Sequence, residues 1–433
     1  MMVTHGAVAM MQVIDAWMVS SQGTEALAAI TPAGLMVLVV TTFGLGILAA
    51  VNTLVGQAAG RGESARCGSF AWQGIWTAVG LGTSVYLLLP TAPYLFSAFG
   101  HSPEIRALEE IYFKICLLAL LPQFVGSAIA NFFFGTKQPK YPMVGTLIAT
   151  LANVILNYAF IFGKLGAPAL GFAGAAWGTL VASVIYAAVM LVFFWGHKNA
   201  SSHSTRTPNW RPARLQQIRQ IGLPIGVQDM FETVSWGIIL VVLVGHFGDS
   251  HLAAASVLIR CMQVSFLPSE GVGAALLAMV ANSIGANRFR LAREQARLAF
   301  RLTATYMGTM AVTFYVFRTP ILELFSRDPE VIAIGTQAMI CVSLFQVFDA
   351  MTVTYANALA GAGDTAWASV VNVILCITIL LGGGLLVIWC FPHLESFGIW
   401  VAAMVYMSAQ GLAYWLRWRH GPWQLIELTD HDS

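Results

Sequence analysis

The sequence predicts an all-α integral membrane protein, twelve transmembrane helices in two pseudo-symmetric six-helix bundles, from its composition, the length of its apolar runs and an internal repeat. Of 433 residues, 58% are hydrophobic and only 10% are charged, with a mean hydropathy of +0.73. A soluble domain carries about 25% charged residues, so this chain must turn most of its exterior to lipid. There every backbone N–H and C=O has to be satisfied within its own segment, which leaves helices or a closed barrel. Barrel strands would show alternating stretches of about ten residues, whereas the runs at 117–134 and 238–244 are apolar without alternation.

Allowing about 20 apolar residues per crossing and breaking at Gly, Pro and charge clusters, the spans fall at 1–20, 27–54, 69–90, 107–134, 141–163, 171–196, 218–247, 252–284, 294–317, 330–360, 366–391 and 396–419. Sixteen Lys and Arg then occupy one set of alternate loops and the C-terminal tail, among them Arg61, Arg66, Arg214 and Arg297. The other loops hold only Arg106, Lys164, Arg318 and Arg327. The excess of basic residues marks the cytoplasmic side, which places both termini inside. A missed span would scramble the asymmetry. Span 1 reads as short, with Asp15 near its far end; no basic segment precedes it and no cleavage site follows, so a cleaved signal peptide is not expected. A net charge of +2 gives no reason to expect nucleic acid as a partner. The six cysteines stand singly, with no CxxC, and read as small residues facing lipid or core.

The longest polar stretch, His197–Arg219, divides the chain into halves of six spans. Expected domains are therefore 1–196, a cytoplasmic linker 197–217, and 218–433 with a short cytoplasmic tail. The halves echo one another. Gly23-Thr-Glu-Ala-Leu-Ala-Ala29 matches Gly248-Asp-Ser-His-Leu-Ala-Ala254; Ser102-Pro-Glu-Ile105 matches Asp328-Pro-Glu-Val331; Asn131 to Gly135 matches Asn357 to Gly361; Asn153-Val-Ile-Leu156 matches Asn372-Val-Ile-Leu375. These matches keep one order at a nearly constant offset, and an even number of spans per half makes the repeats parallel. Repeats of this kind characterise transporters, with the binding site where the halves meet.

Three stretches resemble the MATE (multidrug and toxic compound extrusion) family, in its NorM-like branch: Val13-Ile-Asp15-Ala-Trp-Met-Val19 leading to Gly23 and Leu27-Ala-Ala29; Gly56-Gln57 with Gly60; and Asn153-Val-Ile-Leu-Asn157 through Gly163 and Pro168 to Gly171-Phe-Ala-Gly174. Arg260, Phe266-Leu-Pro268 and Gly285-Ala286 are similar to the family's eighth helix. The resemblance covers essentially the whole chain. It implies two six-helix bundles facing a central cavity and a Na⁺- or H⁺-coupled antiporter exporting small organic, cationic compounds. A monomer in the bacterial inner membrane is expected, with no cofactor beyond the coupling ion.

A charge at mid-bilayer costs roughly 2.5–3.5 kcal/mol on insertion scales, so intramembrane polar groups need a partner, a cavity or a task. Asp15 sits among Met, Val and Ile. Asn153 and Asn157 share a helix face, and Thr179 follows a run of small residues. A carboxylate, two amides and a hydroxyl are hard oxygen ligands suited to Na⁺ or to a proton carrier; the same groups also glue helices together. These positions match the family's first-half cation site. Glu232 and Asp349 match the acid pair of the second-half site, although Phe345 stands where the resemblance implies Tyr, so the hydroxyl expected there is missing. Asp229, three residues before Glu232, is an alternative ligand or a cap. Arg260 and Glu270 are further polar residues for the cavity, and Arg260 could neutralise an acid such as Glu270. Lys114 and Glu110 form an i, i+4 pair. A poorly hydrated carboxylate keeps its proton to higher pH, which suits proton coupling, whereas several oxygens around it favour Na⁺. Aromatics (12%) and 17 Met suit a cavity for flat, greasy cations, while Trp195, Trp415 and Trp418 read as interface anchors. With no Walker A, GxSxG or HExxH, no enzyme is expected. A lipid-linked oligosaccharide flippase would want more intramembrane cations than Lys114 and Arg260, and an intramembrane transferase would want Asp-rich motifs.

Overall fold

The computed structural model describes Met18 and residues 24–426, without the side chains of 24–28, 197, 198 and 200. Apart from Met18, the first expected span lies outside the described residues. The other spans correspond to eleven long helices among the described residues: α1 (Thr24–Gly60), α2 (Ser64–Val85), α3 (Pro103–Gly135), α4 (Lys140–Phe162), α5 (Phe172–Trp195), α6 (Pro212–Ile238), α7 (Asp249–Gly285), α8 (Phe289–Val316), α9 (Pro329–Ala362), α10 (Thr365–Leu375) and α11 (Glu395–His420). Short helical segments prolong α2 to Ser97, α6 to Phe247 and α10 to Cys390. Ten of these runs are long and apolar enough to cross a membrane. The eleventh, α8, opens with Arg290, Arg293, Glu294, Arg297 and Arg301 and turns apolar only afterwards. No strand forms among the described residues. The protein is an all-α, multi-pass membrane protein.

The repeated motifs do the same physical work in each half. Ser102 Oγ accepts from Ile105 N at 3.4 Å, and Asp328 Oδ1 accepts from Glu330 N at 2.9 Å. Pro103 and Pro329 follow these caps, with Glu104 and Glu330 in the first turns. Cap, proline and acid together satisfy orphan N–H groups and complement the helix dipole. At the other ends, Asn131 and Asn357 donate back to Ser127 O (3.0 Å) and Val353 O (2.9 Å). A Cβ on Gly135 would sit 2.9 Å from Asn52 O of α1, and one on Gly361 would sit 2.7 Å from Leu277 O of α7. Glycine thus lets α3 cross α1 as α9 crosses α7.

Packing divides the chain into two units, with the change between Gly226 and Val227, inside α6. In the first unit α1 and α3 form the main contact, and Gly222 and Gly226 bring the start of α6 onto α1 near Ile47 and Phe43. In the second, α9 packs on α7 and α11 around Phe345, Met339, Trp400 and Tyr406. The stretch expected as linker contains a short helix, His197–His203, and α6 begins at Pro212. Trp418 is buried and stacks on Trp423 at 4.0 Å and 5°. It is therefore a packing residue rather than the expected interface anchor, because the chain after α11 folds back on it. Trp195 is exposed.

Candidate functional site

In the first unit, α4 carries two buried amides one turn apart. Asn157 Nδ2 donates to Asn153 Oδ1 at 3.2 Å, and Asn153 Nδ2 reaches Thr179 Oγ1 of α5 at 3.4 Å. Thr179 in turn donates to Ala175 O at 3.0 Å. This close approach depends on small residues: a Cβ on Gly178 would overlap Asn157 Oδ1, and one on Gly174 would come within 2.6 Å of the Phe160 backbone. The three polar residues singled out on these two helices are therefore brought together. Asp15 lies outside the described residues. Met18, three positions later, clusters with Ile161, Phe172 and Ala175 on the same two helices.

In the second unit, Glu232 of α6 is part-buried, and its Oε2 accepts from Asn372 Nδ2 of α10 at 3.1 Å. The same amide nitrogen donates to the Tyr406 hydroxyl of α11 at 3.3 Å. Cys376, one turn beyond Asn372, has its thiol 3.4 Å from Asn372 Oδ1 and 3.3 Å from the Tyr406 oxygen. Here α10 widens into a π-helical stretch, Cys376–Leu381, a distortion that recurs at functional sites. Asn372 and Tyr406 are both fully buried.

Three further acids among the expected residues lie around Glu232 without joining its hydrogen bonds. Asp229 lies one turn earlier on α6, Glu270 on α7 and Asp349 on α9, near enough for their charges to interact with Glu232. Asn357 donates to Glu270, and a Cβ on Gly273 would meet Asn357 Nδ2 at 2.5 Å. Asp349 is 5% exposed, and Phe345, one turn before it, is fully buried in the apolar core. Arg260 is exposed, and no ion pair joins it to Glu270 among the described residues. Ten positions apart, the two side chains fall on different faces of α7, and a neutral amide partners the acid instead. Among the described residues no three His, Cys, Asp or Glu converge as a metal cage. The polar groups are instead carboxylates within charge range of one another, with Glu232 and Glu270 also bonded by amides, and like charges held this close favour uptake of a small cation or a proton.

Sequence reasoning missed Tyr406, Cys376, Asn357 and the site role of Asn372. Asn372 carried one usable signal, as the repeat partner of Asn153.

A model of the MatE family matches residues 1–159 and 224–390. The chain is 25% identical over 421 residues to a protein of Chromobacterium violaceum described as a probable multidrug resistance protein NorM, spanning 95% of this chain and 90% of that one. It is 26% identical to the multidrug resistance protein MdtK of Photorhabdus laumondii, over 94% of this chain and 90% of the relative. An outward-facing multidrug resistance MATE transporter of the MOP superfamily superposes with a TM-score of 0.89 at 16% identity, covering 97% of this chain and 93% of that one. At that identity the likeness concerns the fold.

Proposed function

The chain belongs to the MatE family of membrane transporters, and on that premise we propose that it is a cation-coupled antiporter exporting small organic compounds, cationic drugs included, by alternating access. One observation carries the coupling: Glu232 is held in the membrane-spanning part of the second unit by a buried amide and has other acids within charge range. Keeping carboxylates there is costly, and a role in taking up and releasing a cation accounts for that cost. Binding of Na⁺ or H⁺ at Glu232 and Asp349, or at Asp15 with Asn153, Asn157 and Thr179, removes buried charge. The ion can shift the conformational equilibrium only by its difference in affinity for the two states. That same difference, by reciprocity, loosens the hold on the exported compound. The excess of basic residues in alternate loops supports a reading with both termini on the cytoplasmic side, in a bacterial inner membrane.

Purified protein in liposomes, loaded with a fluorescent cationic dye and challenged separately with Na⁺ and proton gradients, tests this reading. Transport driven by one of the gradients is expected, with Glu232→Gln and Asp349→Asn losing at least about ten-fold of the rate, the effect of about 1.4 kcal/mol. Equal transport with and without both gradients, or full activity in both variants and in Asp15→Asn, refutes it.

A further inference from the structure

The two halves carry the same polar device in different residues. In the first, an amide at 153 is bonded by the side chain at 157, one turn on, and reaches a hydroxyl on the next helix, Thr179. In the second, an amide at 372 is bonded by the side chain at 376, one turn on, and reaches a hydroxyl on the next helix, Tyr406. The positions 153 and 372, and 157 and 376, are separated by the same offset, the one that aligns Asn153-Val-Ile-Leu with Asn372-Val-Ile-Leu. All four residues are buried. A thiol replaces the second amide, a tyrosine replaces the threonine, and a π-helical stretch begins at the thiol.

We propose that Asn372, Cys376 and Tyr406 are the positioning residues of Glu232, a second-half counterpart of the Asn153, Asn157 and Thr179 group, and that Tyr406 supplies from α11 the hydroxyl that Phe345 lacks on α9. The inference rests on the antiporter reading and assigns its second-half ion or proton to Glu232. An amide nitrogen has two hydrogens. One goes to Glu232 and the other to the Tyr406 oxygen, so Tyr406 sets the rotation of the amide that Glu232 accepts from. The Cys376 thiol, between Asn372 Oδ1 and the Tyr406 oxygen, closes the ring from the other side. The titratable neighbours of Glu232 are Asp229 on its own helix, Glu270 on α7, Asp349 on α9, Cys376 on α10, and Tyr406 and Tyr414 on α11. Among the described residues none of these is a cation, so the hydrogen bond from Asn372 is the favourable contact that steadies the carboxylate.

The test is gradient-driven dye transport by the full chain in liposomes, titrated in pH and in Na⁺. The variants are Tyr406→Phe, Cys376→Ala and Cys376→Ser. Loosening the donor favours the protonated carboxylate, so Tyr406→Phe and Cys376→Ala should move the half-maximal pH upward by about half a unit or more, or raise the Na⁺ needed by about three-fold or more, the worth of one modest hydrogen bond. The saturated rate should stay within about two-fold. Cys376→Ser, which keeps a donor and an acceptor, should titrate like the parent. Midpoints of Tyr406→Phe and Cys376→Ala that superimpose on the parent's overturn the assignment while leaving the antiporter reading intact. A parent protein without gradient-driven transport overturns both. Should Tyr406→Phe fail to fold, the alanine–serine difference at 376 decides.

Discussion

At the scale of single residues, a close charge contact in the second unit joins Arg417 near the end of α11 to Asp364 before α10. Arg417 Nε lies 2.7 Å from Asp364 Oδ2 and Nη2 lies 3.2 Å from Oδ1, while the guanidinium covers the Trp367 ring at 4.9 Å. Asp364 is 6% exposed, so removing its partner leaves a nearly buried charge. Arg417→Ala should cost about 3 kcal/mol, read as a lower Tm in detergent. Arg417→Lys should recover only part, because lysine has neither the fork nor the flat face; an unchanged Tm in the alanine variant contradicts this account. In the first unit a methyl at 178 must displace Asn157 Oδ1. Gly178→Ala should therefore reduce transport several-fold with little change in expression, and parental activity would remove Asn157 from the site.

Among elements, the segment between the halves is strapped to α2. Gln73 is the centre: its Nε2 donates to Asn209 O and Oδ1, both at 2.9 Å, and its Oε1 accepts from Arg211 N at 3.1 Å. Trp72 and Trp76 donate to Thr205 O and Asn209 O, and Gly68 leaves room for the His203 carbonyl. His203 packs edge-on against Phe132, and burial pushes its pKa below the ordinary value. The sign follows from proton counting. A detached strap takes up a proton that the docked one resists, so docking is strongest above pH of about 6.5 and weakens as pH falls through it. Hydrogen–deuterium exchange of 197–211, corrected for intrinsic rates, should rise from pH 7.5 to 5.5 in the parent and lose that added dependence in His203→Phe; identical pH trends in the two contradict it. This strap was not legible in the sequence, where polar Ser, Thr, Pro and Arg read as a plain linker. Its bonds join residues more than a hundred positions apart. The Asn153–Asn157 pair was legible because it is a contact within one turn, and the stretches at Ser102 and Asp328 were visible as a repeat. Glu232 with Asn372 spans 140 positions, and Cys376 looked like any small core residue, so neither could be seen before the helices were packed.

For the whole molecule, orientation can be tested without reference to the first span. Tyr94, in the short helical segment that prolongs α2, is 80% exposed, and Ser202, in the strap, is exposed. Three crossings, α3, α4 and α5, separate them, and an odd number puts their ends on opposite faces. On the proposed orientation the Ser202 side is cytoplasmic, since Arg206, Arg211 and Arg214 adjoin it while Arg106 alone adjoins Tyr94. Five of the six native cysteines are buried and only Cys390 is exposed, so a Cys390→Ser background leaves little native labelling. In intact cells a membrane-impermeant maleimide should then label Tyr94→Cys, and label Ser202→Cys only after the membrane is opened. Labelling of both from one side would mean that α3 to α5 do not make three crossings.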